Sequence, residues 1–401
     1  MFDELFSRIL GRDKSLFEED IEKYQSELRD IISQTRILVI GAAGSIGSAF
    51  VKQVLQYHPT SLHLVDLNEN NLVELVRDLR SSSLNIPKNF KTMAIGLGNW
   101  EFKIFLQNEF RYDHVVNFSA LKHIRSERDP YTLIRMLNTN VYYVKELLEF
   151  LSNHQLKNFF SVSSDKSVNP ASIMGASKAL MEKVMFFYSE QVPVSTSRFA
   201  NVAFSDGSLL YGFYLRLRKK QPISAPSDIK RYFISSREAG QLCLISCFLG
   251  NNRDILFPKL NHNLELISLT DLAKKFLEAH GFQAEQFPSE QKAKKAAELL
   301  EGNSKVWPCY FAQSDTSGEK LFEEFYTKND VVDMGKYQKI GVIHGNPLIE
   351  SEREGLIAFL HGMKEIKKLK SWSKENILQL MKMALPEFQH RETGKNLDQK
   401  M

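Results

Sequence analysis

Four consecutive polar residues, Ser163, Ser164, Asp165 and Lys166, follow the short apolar run Asn158–Val162 and precede a helical stretch entered at Met174. A carboxylate, an amine and two hydroxyls at the C-terminal end of a buried strand stand where open α/β sheets bind ligands. Such groups exchange protons with a bound molecule when each lies within hydrogen-bond reach of it. The plainer alternative is a solvated loop with a surface Asp–Lys pair, because paired charges also serve structural ends. The rest of the chain decides between the two.

A second stretch, RILVIGAAGSIGSAFVKQVLQ, reads as a buried strand from Ile37 to Ile40, a turn with Gly41, Gly44 and Gly47, and a helix carrying Phe50, Val51, Val54 and Leu55. Glycines at this spacing allow a tight turn and bring backbone N–H groups to a pyrophosphate at the helix N-terminus. The next strand, SLHLVDL, ends at Asp66, nineteen residues beyond Gly47. An acid there takes the ribose hydroxyls of NAD. No Arg follows Asp66 directly to receive a 2′-phosphate, so the expected cofactor is NAD rather than NADP. The alternative is a glycine turn with a purely structural role.

These two stretches need a frame that aligns strand ends. Strands at Thr92–Ile95, His114–Ala120 and Pro193–Ala200 alternate with helices at Asn70–Arg80, Glu101–Phe110, Tyr131–Leu151 and Met174–Ser189. Alternation of this kind predicts an α/β fold, a doubly wound parallel sheet covered on both faces with right-handed crossovers. The expected layout is amphipathic N-terminal helices over 1–35 and a dinucleotide-binding part over 36–200. A smaller substrate-binding part over 201–345 and a helical extension with a tail over 346–401 follow. In the third part, Leu209–Lys219 and Ser236–Leu249 read as helices and IKRYFIS as a short strand, whereas 301–318, with its Trp-Pro and Ser-rich run, reads as loop. The apolar positions of 1–35, among them Phe6, Ile9, Phe17, Leu28 and Ile32, either pad the main body or meet another subunit.

Composition narrows the function. The 401 residues hold 52 basic and 48 acidic side chains, a net charge of +4, and a 43% hydrophobic fraction usual for a globular protein. Without a concentrated basic patch, no nucleic-acid partner is expected. Cys243, Cys247 and Cys309 show no metal-ligand spacing and no disulfide framework, so no metal is expected. No signal peptide and no apolar run of about 18 residues is visible, which points to a cytoplasmic protein without a membrane span.

Four further blocks carry a family resemblance: SALKHIR, SSDKSVNPASIMGASK, RFANVAFSDGSLL and IKRYFIS, together with GAAGSIGSA. The chain resembles the polysaccharide-biosynthesis branch of the extended short-chain dehydrogenases, and within it the nucleotide-sugar 4,6-dehydratases acting on UDP-N-acetylglucosamine. The likeness runs from about Leu10 to Pro258. Two departures stand out. The tyrosine of the usual Tyr-x-x-x-Lys pattern is Met174 here, four before Lys178, and methionine exchanges no proton. Arg125 stands where relatives carry proline.

The resemblance implies an internal redox reaction. NAD⁺ takes hydride from the sugar C4, water is eliminated across C5 and C6, and hydride returns to C6 with C5 configuration retained. It implies Asp165 as the acid, Lys166 as the base, Ser164 on the C4 oxygen and Lys178 at the nicotinamide ribose. Asp165 then needs a raised pKa and Lys166 a lowered one. Gly41, Ala43, Gly44, Ser45, Ile46, Gly47, Asp66, Ala120, Lys122 and Asn140 would bind the cofactor. Lys122, His123, Asn201, Ser208, Leu209 and Arg231 would bind the nucleotide-sugar substrate, with Arg231 clamping the diphosphate. His123 reads equally as a satisfied buried histidine. The family habit of pairing subunits implies a homo-oligomer, a dimer or larger. The rivals are a nucleotide-sugar 4-epimerase or 4-oxidase on the same fold, and a non-catalytic dinucleotide-binding scaffold.

Overall fold

In the computed structural model, which describes residues 2–260, 266–315, 318, 320 and 322–390, the strand β1 (Arg36–Ile40) shows why the sheet is covered twice. Its Ile37 and Val39 enter one core, and Leu38 and Ile40 enter another. Side chains alternate along a strand, so a run apolar at every position demands partners on both faces. The same holds for β2 (Ser61–Val65), β4 (His114–Asn117) and β5 (Asn158–Val162), all wholly buried.

With β3 (Asn89–Met93) and β6 (Val194–Ser197), these strands form a parallel sheet in the order β3-β2-β1-β4-β5-β6. Asp254–Pro258 extends it in parallel, and Ile340–His344 and Val332–Asp333 close the edge antiparallel. The chain reverses its direction of winding between β1 and β4. That is the topological switch point at which doubly wound sheets take their ligands.

Helices α4 (Ser45–Leu55), α5 (Glu69–Ser81) and α11 (Ser236–Leu249) cover one face. On the other lie α7 (Pro130–Leu137), α8 (Tyr143–Leu151), α9 (Ile173–Phe187), α14 (Glu350–Ile366) and α15 (Lys374–Ala384). A third core joins α1 (Phe2–Leu10), α10 (Leu209–Arg218) and α12 (Leu269–Ala279) to a small parallel sheet of Gln283–Gln286, Val306–Ala312 and Ile223–Pro226. The N-terminal apolar residues are therefore padding, divided between two cores. Phe17, Leu28 and Ile32 pack with the main sheet, while Leu5, Phe6 and Ile9 pack with the third core.

Several expected elements differ. The 301–318 segment is not loop throughout, since Val306–Ala312 is a strand. Its Pro308 is tolerated because Val306–Cys309 pairs on one side only and Cys309–Ala312 on the other, so the missing N–H breaks no ladder. The strand expected to reach Ala120 stops at Asn117, whose side-chain carbonyl turns back to accept the Ser119 N–H at 3.0 Å. The helix expected over Tyr131–Leu151 is interrupted by a π turn at Asn138–Tyr142. IKRYFIS forms two short bridges, Lys230–Arg231 with Ile267–Ser268 and Phe233–Ile234 with Asn201–Val202. The terminal segment HRETGKNLDQKM lies, from position 391, outside the described residues.

Candidate active site

The glycine turn supplies a cradle. Gly41 takes φ +72°, and a Cβ on it would lie 2.6 Å from the Ser119 nitrogen. Only glycine permits both that conformation and that approach. The N-cap of α4 is Gly44, which offers no side chain to the first N–H groups of the helix. Helices α5, α7, α9, α10 and α11 are all capped by side chains. An uncapped N-terminus beside a glycine turn suits a phosphate. Asp66 fixes the rim: its carboxylate accepts the Ala43 N–H at 2.9 Å and the Asn68 N–H at 2.8 Å. Ser45 meets Asp206, its hydroxyl donating to the carboxylate at 3.2 Å and accepting the Asp206 N–H at 3.0 Å. Ile46 packs against the first core. The residues present thus fit a dinucleotide.

Along the strand ends from this cradle, a buried scaffold holds the Ser163–Lys166 stretch. Glu182 on α9 accepts hydrogen bonds from Ser163 and Ser167 and a bidentate pair from Arg198. Arg198, with Ser163 and Ser167, holds the Glu182 carboxyl below its usual range although burial pushes it up. Arg198 also donates to the Phe325 carbonyl at 2.8 Å, tying in the 323–325 segment. A short turn at Asp165–Ser167 sits directly on the start of α9, where Gly175 leaves no room for more: a Cβ there would lie 2.3 Å from the Lys166 carbonyl oxygen.

On this scaffold the reactive groups converge. Ser164 Oγ donates to Asp165 Oδ1 at 2.9 Å, and Lys166 Nζ donates to the same oxygen at 3.1 Å. Asp165 is buried, whereas Ser164 and Lys166 are partly exposed. Met174 is 3% exposed at the start of α9, and its backbone N–H is held by Glu127 at 2.8 Å. One turn on, Lys178 Nζ donates to the Val162 carbonyl at 2.9 Å. Burial lowers the Lys178 pKa to about 8, only partly opposed by Glu182.

The lysine expected to be depressed was Lys166, and here the structure corrects the sequence. Burial does pull Lys166 down, but the carboxylates of Asp165 and Glu323 outweigh it, and its pKa is raised. Lys166 is a cation in this arrangement.

The remaining expected residues fall into two groups. Asn140, in the π turn, grips the loop after β4: it accepts the Leu121 N–H at 2.8 Å and donates to the Leu121 carbonyl and to Ser177 at 2.9 Å each. It supports Ala120–Lys122. Lys122 donates to Ser205 at 3.4 Å, and the His123 ring lies against Gly207. Burial lowers the pKa of both, so His123 is neutral. Ser208 caps α10 by accepting the Tyr211 N–H, and Leu209 begins that helix against the third core. Asn201 is fixed by its backbone and side-chain N–H groups, both on the Tyr232 carbonyl. Arg231, expected at a diphosphate, lies in this structure 3.7 Å from Glu323.

Residues 37–345 match the protein family described as polysaccharide biosynthesis protein. The chain belongs to this family. It is 26% identical to an uncharacterized membrane protein of Methanocaldococcus jannaschii over 79% of this chain and 88% of that one. It is 28% identical to the capsular polysaccharide biosynthesis protein CapD of Staphylococcus aureus over 83% of this chain and 51% of that one. The probable polysaccharide biosynthesis protein EpsC of Bacillus subtilis is similar, at 26% identity over 85% and 52%. The chain spans about half the length of these last two relatives.

Among solved structures, Pen from Bacillus thuringiensis matches with a TM-score of 0.63 at 19% identity, covering 80% of this chain and 89% of that one. A dTDP-glucose 4,6-dehydratase, the DesIV double mutant of Streptomyces venezuelae with NAD bound, gives 0.55 at 17% identity, covering 73% and 88%. At such identities the likeness is one of fold, a doubly wound α/β sheet. No helix among the described residues is long and apolar enough to cross a membrane, and no cluster of metal-ligating side chains occurs among them.

Sequence reasoning missed Glu323 and Lys320. They lie beyond the blocks that carry the resemblance, in a stretch with no period, and nothing local marks them. A cavity of about 800 Å³ opens beside Lys320, lined also by Asn169, Phe322 and the end of α15, but neither Lys166 nor Glu323 reaches its wall.

Proposed function

We propose that this protein is an NAD-dependent nucleotide-sugar 4,6-dehydratase acting on UDP-N-acetylglucosamine or a close relative, retaining configuration at C5. The single observation that carries the reading is the Ser164–Asp165–Lys166 hydrogen-bonded set on the turn before the helix that carries Lys178, with Met174, one turn before Lys178, in the place of a tyrosine. A 4-epimerase working through a tyrosinate has no group for it here.

When bound, the dinucleotide would accept hydride from the sugar C4 and return it to C6. The protein's own groups supply the rest. Ser164 bonds the C4 hydroxyl and passes its proton to Asp165, to which it already donates. Asp165, so protonated, is the acid that delivers that proton to the departing C6 oxygen, so one proton serves both steps. Lys166, a cation at rest, first gives a proton to solvent, and the free amine then takes the C5 proton and returns it. Lys178 places positive charge at the nicotinamide ribose. Asp66 selects NAD, because its carboxylate repels a 2′-phosphate. Residues 36–200 hold the cofactor, and 201–345 hold the nucleotide. The relatives named for polysaccharide biosynthesis support a place in surface-glycan sugar synthesis. The same reading makes the protein cytoplasmic and homo-oligomeric, and sedimentation showing only monomer at micromolar concentration would remove the second claim.

The test is incubation of the pure protein with NAD⁺ and UDP-N-acetylglucosamine, followed by mass and proton NMR of the product. Loss of one water and a new C6 methyl signal are expected. A product of unchanged mass means epimerisation and overturns the reading. Apoprotein titration should show NAD binding tighter than NADP, and Asp66→Ala should narrow that gap.

A further inference from the structure

The 203–208 loop joins the Asn201–Val202 bridge to α10, and two of its residues take uncommon backbone conformations. Phe204 has φ +56° and Gly207 has φ +70°. A bulky residue at positive φ is strained and persists only where its surroundings fix it. Here the buried Phe204 ring stacks on Phe2 of α1, with centroids 4.9 Å apart and planes 11° from parallel. The base of the loop is anchored in this way, and Asp206 and Gly207 stand exposed at its tip.

The tip meets both walls of the dinucleotide cradle. On one wall the Asp206 carboxylate accepts the Ser45 hydroxyl at 3.2 Å, and the Asp206 N–H donates to the same hydroxyl oxygen at 3.0 Å. On the other, Gly207 approaches His123 so closely that a Cβ would stand 2.5 Å from the ring, and Ser205 accepts from Lys122 at 3.4 Å. Burial lowers the Lys122 amine and Asp206 works against it, so the two charges are within electrostatic reach. Ser45 follows the glycine turn after β1, and Lys122 follows β4, the two strands between which the winding reverses. A loop bonded to both bridges the crevice in which such sheets take their ligands. It does so without filling the phosphate position: Asp206 engages the Ser45 side chain, while α4 starts at Gly44 with no side-chain cap on its first N–H groups.

Resting on the dinucleotide site of the proposed reaction, we infer that Asp206 is a positioning residue that latches the 203–208 loop to Ser45 and so closes the cofactor in. The reaction gives such a latch its use. One dinucleotide takes hydride from C4 and must return it to C6, and loss of the reduced form between those steps strands the sugar as its ketone. A bound cofactor leaves, and a free one enters, only after the Asp206–Ser45 contact opens.

The experiment follows the cofactor and not turnover. Wild type and Asp206→Ala are loaded with NADH and chased with excess NAD⁺, and release is read from the loss of bound-NADH fluorescence. Entry is read by stopped-flow mixing of NADH with each apoprotein. Loss of a hydrogen bond to a charged group is expected to speed release about tenfold. Entry should quicken as well, because the same contact bars both directions. Asp206→Asn, whose amide oxygen still accepts the Ser45 hydroxyl, should release NADH more slowly than Asp206→Ala. Ser45→Ala should also release quickly, and adding Asp206→Ala to it should change little, since the two residues make one contact. Unchanged release from Asp206→Ala overturns the inference. Slower release does so too, because it means that the carboxylate only repels the pyrophosphate. Faster release with unchanged entry shows Asp206 holding the dinucleotide directly and equally overturns the latch, as do additive effects of the two substitutions. A wild type that binds neither NADH nor NADPH removes the dinucleotide reading itself. A wild type that binds NADH, with variants that behave like it, removes Asp206 alone.

Discussion

Asp165 carries two hydrogen bonds on one oxygen, from Ser164 and from Lys166, and this sharing separates its role from that of its neighbour. If Asp165 collects the C4 proton, Asp165→Asn forms no reduced cofactor on mixing with substrate. Lys166→Met leaves C4 oxidation intact, so reduced cofactor accumulates while dehydration falls by about 10²- to 10⁴-fold. Stopped-flow absorbance distinguishes the two, and near wild-type dehydration by Lys166→Met would refute its role as base. Lys178 sets a pH limit. Its folded pKa, about 8, lies below the 10.5 of the free side chain because burial disfavours the ammonium. The positive charge it contributes is present below about pH 8 and lost above it, so kcat should fall on that alkaline limb. In stability the sign is opposite to that of a paired lysine. Between pH 8 and 10.5 the unfolded chain binds the extra proton, so this residue's contribution rises with pH through that window.

At the level of elements, the contact between α9 and the Asp165–Ser167 turn decides where the acid and base stand. The start of α9 is held by Ser172, whose hydroxyl accepts the Gly175 N–H, and by Glu127, which accepts the Met174 N–H. Gly175 lets the turn sit on the helix backbone. Gly175→Ala forces a Cβ against the Lys166 carbonyl, 2.3 Å away in the present geometry. Overpacking of this kind costs about 1–3 kcal/mol. Urea denaturation should show that loss, and kcat/KM should fall further than stability alone explains because Lys166 moves with the turn. A melting curve and kinetics identical to wild type would show that the turn is free to shift.

Across the whole molecule, the C-terminal helices are part of the main core. α14 and α15 bury Leu356, Phe359, Met363, Ile366, Ile377 and Met381 against α7 and α9. Each such side chain contributes about 1.5–3 kcal/mol when fully buried. Six of them together rival the roughly 5–15 kcal/mol by which a folded protein exceeds its unfolded state. Removal of residues 350–401 should therefore yield a chain that binds a hydrophobic dye and lacks a cooperative thermal transition. The extension also reaches the active-site side: His390 pairs with Glu127 at 3.1 Å, and the Trp372 ring N–H donates to the Pro130 carbonyl at 3.0 Å.

The local signals in the chain were sufficient wherever the position of a group depends on a contiguous stretch. Short continuous apolar strands, the spacing from Gly41 to Gly47, Asp66 at a strand end and Ser164 to Lys178 on one strand–turn–helix unit all follow from nearest neighbours and backbone geometry, so the doubly wound sheet and the groups it presents were legible. Pro308 misled, because a proline marks a loop unless the pairing skips its nitrogen, and that depends on two other strands. The charge of Lys166 misled for the same kind of reason. Burial alone would have lowered its pKa, and the sign was reversed by its neighbour Asp165 together with Glu323, 157 positions later in the chain. Electrostatic energy depends on distance in space, and only the folded chain, with Phe325 tied to Arg198, brings the second carboxylate to Lys166.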